Sequence, residues 1–180
     1  MEIKNERIKG LFSIKPKIFG DERGYFLETF SKTKYEKILD DFNFVQDNLS
    51  LSAKGVLRGL HFQSPPFDQG KLVQVIKGSV IDVSVDIRKK SPTYGEYFSV
   101  ILTEKEKNQI WIPPGFAHGF CALEDNTIFS YKCTNYYSPE YEISILWNDK
   151  TLNIDWTIEE PIISEKDQKG IDFDNFVSPF

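Results

Sequence analysis

The chain is predicted to be all-β in the main, a sandwich or jelly-roll barrel with one short helix and a C-terminal segment that wraps the barrel. Three observations predict this. Its apolar segments are short, β-branched and punctuated by Gly, Pro and Asn; aromatic residues, mostly Phe and Tyr, make up 14% of the chain; and Ile81-Asp82-Val83-Ser84-Val85-Asp86-Ile87 alternates strictly between apolar and polar, as a strand with one face on a core requires.

Taken in order, the strand candidates are Phe44–Leu51, Gly55–Phe62, Lys71–Lys77, Ile81–Ile87, Tyr97–Leu102, Gln109–Ile112, Gly119–Leu123, Thr127–Thr134 and Ser144–Trp147. Each is bounded by polar or Pro/Gly connections. Gly78-Ser79 fits a hairpin turn between Lys71–Lys77 and the alternating strand. The helix expected is Lys32–Asp41, which puts Tyr35, Ile38 and Leu39 on one face, with Ser31 available as its cap. After Trp156 the sequence turns irregular and polar, the expected wrapping segment.

A length of 180 residues with 40% hydrophobic content suits one domain spanning 1–180 with a substantial core. Net charge is −5, without the basic excess that holds nucleic acid, although a local pair of cations can still bind a diphosphate. The start, MEIKNERIKG, lacks the apolar stretch of a signal peptide, and no window approaches the roughly 20 apolar residues of a membrane span. A cytoplasmic protein with no membrane partner is expected. Cys121 and Cys133 have no zinc or redox spacing and read as buried free thiols.

The chain contains two histidines, His61 and His118. A three-histidine metal site is therefore impossible within one chain. A site of two histidines and a carboxylate stays arithmetically open, but Gln63 stands where a metal-binding strand would want a second ligand. On a strand His61 shares a face with Gly59 and Gln63, and Leu60 and Phe62 take the other; if those two fill a hydrophobic layer, His61 lines a polar cavity. Pro113-Pro114-Gly115-Phe116-Ala117-His118 fits the second short motif of cupin barrels and carries His118 to the barrel mouth.

Longer segments extend the pattern: Phe19-Gly20-Asp21-Glu22-Arg23-Gly24, Leu57-Arg58-Gly59-Leu60-His61-Phe62-Gln63, Gly70-Lys71-Leu72-Val73, Ser91-Pro92-Thr93-Tyr94-Gly95 and Tyr131-Lys132-Cys133-Thr134-Asn135-Tyr136-Tyr137. Together with Trp147-Asn148-Asp149 and Ser164-Glu165-Lys166-Asp167 they resemble, in one register over roughly 11–167, the dTDP-4-dehydrorhamnose 3,5-epimerases. Thr157 departs from the pattern, standing where that family usually has proline.

The resemblance implies a cupin jelly roll, a homodimer, no metal and no organic cofactor, and inversion of C3 and C5 of dTDP-4-dehydro-6-deoxy-D-glucose. It implies His61 as base oriented by Asp167, Tyr131 as acid, and Lys71 beside the ketone oxygen. It assigns nucleotide and sugar binding to Arg23, Glu28, Gln46, Asp47, Asn48, Arg58, Lys71, His118, Glu142 and Lys166. Phe26 is a candidate to stack on the base and Tyr137 to orient the sugar, with the Arg23–Glu28 strand contributed across the dimer.

The residue types suit the chemistry. Both inverted carbons flank one ketone, so a single cation at its oxygen serves both enolates. Imidazole titrates near neutrality, and a carboxylate fixes its tautomer. Phenol is neutral at pH 7, and a neighbouring cation, Lys71 or Lys132, would ease its ionisation. Rival readings are an epimerase inverting C5 or C3 alone, a metal-dependent cupin oxygenase using His61, His118 and a carboxylate, and a catalytically silent sugar-nucleotide binding module.

Overall fold

The computed structural model describes residues 1–39 and 42–180. Within them the strands run β1 Glu2–Asn5, β2 Phe12–Lys15, β3 Ile18–Asp21, β4 Gly24–Leu27, β5 Gln46–Ser52, β6 Val56–Gln63 and β7 Lys71–Lys77. They continue with β8 Ser79–Asp86, β9 Tyr97–Thr103, β10 Gln109–Ile112, β11 Phe116–Ala122, β12 Thr127–Cys133, β13 Glu142–Ser144 and β14 Ile162–Ile163. One sheet has the order β1-β2-β10-β7-β12-β5; the other runs β13-β6-β11-β8-β9, with β14 beside β6. This is the expected jelly roll.

Three apolar layers hold it together. Between the sheets lie Val73, Val75, Ile110 and Phe129 from the first and Val80, Leu102 and Phe120 from the second. The outer face of the second sheet, with Leu60, Phe62, Ile81, Val83 and Val85, is covered by Ile145, Leu152, Trp156, Phe173 and Phe176 of the C-terminal segment. The expected wrap is real, and its anchor is aromatic: Trp156 is buried and donates its indole N–H to Trp147 O at 2.8 Å. On the outer face of the first sheet Leu72 and Trp111 pack beneath Tyr35 and Leu39.

The last layer corrects the expected helix. A helix α1 covers Lys32–Tyr35 and passes into turns up to Leu39; the end of the expected helix, Asp40 and Asp41, lies outside the described residues. Ser31 precedes the helix without a side-chain capping bond, its hydroxyl lying 3.2 Å from that of Thr33. Tyr35 and Leu39 are buried as their spacing predicts.

β8 has one face on a core as expected, but the hairpin expected before it does not form. Gly78, at φ +79°, turns the chain from the first sheet into the second, so β7 and β8 do not form a hairpin. Its conformation favours glycine, and a Cβ there would lie 2.5 Å from the Thr127 hydroxyl. Lying between β11 and β9, β8 is buried on both faces. Ile81, Val83 and Val85 face the C-terminal wrap, while Val80 and the polar residues turn away from that layer, Asp82 toward His118.

The first four strands are four residues each; β1 to β3 were unforeseen, β4 falls within the expected Arg23–Glu28 strand, and all but β2, which buries Ile14, are largely exposed. β3 and β4 form a separate two-stranded ribbon carrying exposed Phe19, Tyr25 and Phe26.

Candidate active site

A bulge builds the site. His118 pairs with His61 and Phe120 with Arg58, so three residues of β6 span what two span on β11. Strict alternation would put Arg58 and His61 on opposite faces; the extra residue turns both inward. Glycine is required at the bulge, because Gly59 has φ +138° and a Cβ on it would lie 2.5 Å from Gly119 Cα. Arg58, His61 and His118 thus line one cavity of about 630 Å³ between the sheets, together with Lys71, Tyr131, Lys166 and Asp167. An adjoining recess of about 180 Å³ shares His61, Lys71 and Tyr131 and adds Gln46, Gln63, Tyr137 and Glu142.

His61 and His118 each meet one carboxylate. Asp167, in a short 3-10 turn of the C-terminal segment, is 3% exposed and places Oδ1 2.5 Å from His61 Nε2. Burial by itself pushes the Asp167 carboxyl up; the bond with His61, backed by the Ser164 hydroxyl and the Gly59 N–H, outweighs it and holds the carboxyl below its ordinary value. A carboxylate there keeps the proton on the nitrogen it faces and leaves the other nitrogen free to accept one. His118 Nε2 lies 2.8 Å from Asp82 Oδ2 with both groups buried, and Asp82 Oδ1 has no protein partner.

Tyr131 and Lys71 come from the opposite sheet, on the adjacent strands β12 and β7, where Cys133 pairs with Lys71 and Tyr131 with Val73. Burial pushes the Tyr131 phenol up to about 12. The cation that pulls against this is Arg58; the expected helper Lys132 points to the other face of β12 and pairs with Asp47 at 2.8 Å. Burial lowers the Lys71 ammonium from its usual value, partly offset by Cys133, Glu142 and Asp82. At the rim, Tyr137 donates its hydroxyl proton to Glu142 Oε2 at 2.6 Å, and Lys166 reaches the same oxygen at 2.5 Å.

Of the residues singled out in the sequence, the cavity and its recess collect His61, Lys71, Tyr131, Asp167, Gln46, Asn48, Arg58, His118, Tyr137, Glu142 and Lys166. Asp47, between inward Gln46 and Asn48, points away from this cavity, with its side chain 70% exposed and paired with Lys132. Arg23, Phe26 and Glu28 do not reach the cavity of their own chain. Arg23 pairs with Asp21 and Glu28 with Lys34, while Phe26 is 69% exposed. The sequence reading missed Asp82 behind His118, and Ser50, whose buried hydroxyl lines the cavity without a partner. Among the described residues no three His, Cys, Asp or Glu side chains cluster so as to hold a metal ion, and both imidazoles are committed to carboxylates.

A cupin-like jelly roll whose interior faces an imidazole–carboxylate pair with a phenol and an ammonium defines the class: an isomerase-type scaffold built for proton transfer. The chain belongs to the dTDP-4-dehydrorhamnose 3,5-epimerase family, whose model matches residues 5–175. It is 49% identical to the dTDP-4-dehydrorhamnose 3,5-epimerase of Shigella flexneri over 98% of this chain and 100% of the relative. Among solved structures it is similar to the dTDP-6-deoxy-D-glucose-3,5-epimerase of Legionella pneumophila Philadelphia 1 in complex with dTDP-4-keto-L-rhamnose. There the TM-score is 0.94 and the identity 50%, covering 98% of this chain and 94% of that one. It also resembles ChmJ, a 3'-monoepimerase from Streptomyces bikiniensis in complex with dTDP-quinovose, with TM-score 0.88 and 31% identity over 92% of this chain and 85% of that one.

Proposed function

We propose that this chain inverts C3 and C5 of dTDP-4-dehydro-6-deoxy-D-glucose to give dTDP-4-dehydro-L-rhamnose. The observation that carries the reading is the arrival of His61 with Asp167 from one sheet and of Tyr131 with Lys71 from the other, on one cavity. Inversion needs a proton removed from one face of a carbon and returned to the opposite face, which two groups on one side could not do.

In each half-reaction the free nitrogen of His61 takes the proton from the carbon beside the ketone, and the C–H electrons move onto the C4 oxygen as an enolate. Lys71 faces that negative charge as a cation, in a site where water screens little. The Tyr131 O–H then gives its proton to the opposite face of the carbon as the enolate collapses to the ketone. The phenolate and the imidazolium return to their starting states by exchange with solvent. A phenol raised to about 12 stays protonated at neutral pH, which suits a donor.

Arg58, His118 and Lys166 offer the cavity's remaining cationic or proton-donating groups to a diphosphate. The exposed ribbon β3–β4, with Arg23, Phe26 and Glu28 on or beside it, is proposed to complete the nucleotide site of a second copy in a homodimer. The same reading puts the reaction in the cytoplasm, which cell fractionation tests.

The test is incubation with dTDP-4-dehydro-6-deoxy-D-glucose in deuterated water and mapping of label on the sugar. Label at both C3 and C5 is expected. Label at one carbon selects the single-inversion reading, which the fold shared with a 3'-monoepimerase keeps in play; no label overturns both.

A further inference from the structure

Gln63 is 4% exposed, stands two residues beyond His61 on β6, and makes three bonds that no packing argument requires. Its Nε2 donates to Phe67 O at 2.6 Å and to Tyr136 O at 3.0 Å, while its Oε1 accepts from Ser138 N at 2.6 Å. The two bonds to Tyr136 and Ser138 grip the backbone on either side of Tyr137. A buried amide with both ends satisfied by main chain is a rigid clamp, since releasing any one bond leaves a buried polar group unpaired.

What the clamp holds faces the chemistry. Tyr137 lines the recess it shares with His61, Lys71 and Tyr131, and its hydroxyl is tied to Glu142. Glu142 in turn pairs, in register across β13 and β6, with Gln63 itself, and it bonds Lys166, the residue before Asp167. Gln46 on the other sheet also holds Tyr137, its Oε1 accepting from Tyr137 N at 2.9 Å, but of these ties Gln63 is the one that joins this wall of the recess to the strand that carries the base.

We propose that Gln63 is a positioning residue: by fixing the Tyr137 wall relative to His61 it sets how proton removal divides between C3 and C5. This rests on the epimerase reading above. The two acidic carbons sit on either side of one ketone, and one base serves both. A wall that moves shifts the ring sideways under the imidazole, bringing one carbon nearer and taking the other away. Displacements of about 1 Å suffice to change relative rates, because a misplacement of that size can cost about 10²-fold in an oriented reaction.

The test compares deuterium incorporation at C3 and C5 in wild type, Gln63→Leu, Tyr137→Ala and the double variant. Gln63→Leu keeps the volume and removes all three bonds; it is expected to change the C3:C5 label ratio by about tenfold or more. Because Gln63 acts through the Tyr137 ring, which Tyr137→Ala removes, the ratio in the double variant should match that of Tyr137→Ala alone. An unchanged ratio in Gln63→Leu, or independent additive effects in the double variant, overturns the proposal. Should the leucine variant fail to fold, Gln63→Asn carries the same test, since it keeps the amide and shortens its reach. A wild type without label at either carbon overturns the epimerase reading instead, so the two failures are distinguishable.

Discussion

The two histidine–aspartate pairs look alike in composition and differ in what surrounds them. His61 and His118 are cross-strand partners, both on the cavity, both with Nε2 on a carboxylate. Yet the His61 side chain is 26% exposed against 7% for His118. Asp167 reaches its histidine from the C-terminal segment, whereas Asp82 does so from the neighbouring strand β8. An imidazole open on its far side can take a proton from a ligand and pass it to solvent; one enclosed by sheet and by the ring of Phe129, 6.2 Å away, is suited to bind. Under the proposed mechanism this difference in access divides the two into a working pair and a holding pair.

The contrast is broken most severely at the working pair. His61→Asn is expected to lower kcat for inversion about 10²–10⁴-fold with little change in KM, the usual loss on removing a positioned general base. Equal losses in kcat from His61→Asn and His118→Asn would erase the distinction.

The bulge that brings Arg58 and His61 to one cavity comes next. Gly59→Ala places a Cβ 2.5 Å from Gly119 Cα at a left-handed φ, and should destabilise the fold by about 3 kcal/mol, from backbone strain plus overpacking. Chemical denaturation measures it, and a loss within experimental error would show that the bulge relaxes freely.

At the holding pair, His118→Asn should raise KM about tenfold with kcat nearly unchanged, the worth of one charge-assisted hydrogen bond to ligand. A fall in kcat with KM constant would move His118 into the chemical step.

The smallest effect is on the alkaline limb of activity. Lys71 is a cation below its folded pKa, which burial sets beneath the ordinary 10.5, and the charge is lost as pH rises through that value. Tyr131 remains protonated to about 12. Activity should therefore decline before pH 10.5, and the residual activity of Tyr131→Phe should keep the same alkaline limb. A limb that vanishes with the phenol would assign it to Tyr131.

Much of this was legible in the residues. The pattern of short β-branched segments bounded by Gly, Pro and polar residues located β7 and β10 to the residue and the other central strands within a few positions. It could not say what covers the polar face of β8: alternation reads the same whether that face meets water or a polar cavity. Strand parity alone places Asp47 on the face opposite Gln46 and Asn48, since three successive residues cannot share one face.

Arg58 and His61 show the opposite limit. Three residues apart on one strand, they share a face only through a bulge, and Gly59 is a hint of it that becomes decisive once Gly119 stands opposite. β1 and β3 were hidden because strands of four mostly exposed residues leave no burial pattern to read, and β2 because its one buried residue, Ile14, carries no period. Gln63 was visible in sequence as an amide beside the base. Its role depends on main chain at Phe67, Tyr136 and Ser138, which no local pattern reports.

The central claim is that proton removal belongs to the imidazole of one sheet and proton return to the phenol of the other. Substrate deuterated at C3 and C5, turned over in ordinary water, separates the two events. The account predicts that Tyr131→Phe still washes deuterium out while forming little inverted product, and that His61→Asn does neither. Washout by His61→Asn at a rate near that of wild type, or washout lost equally in the two variants, would contradict it.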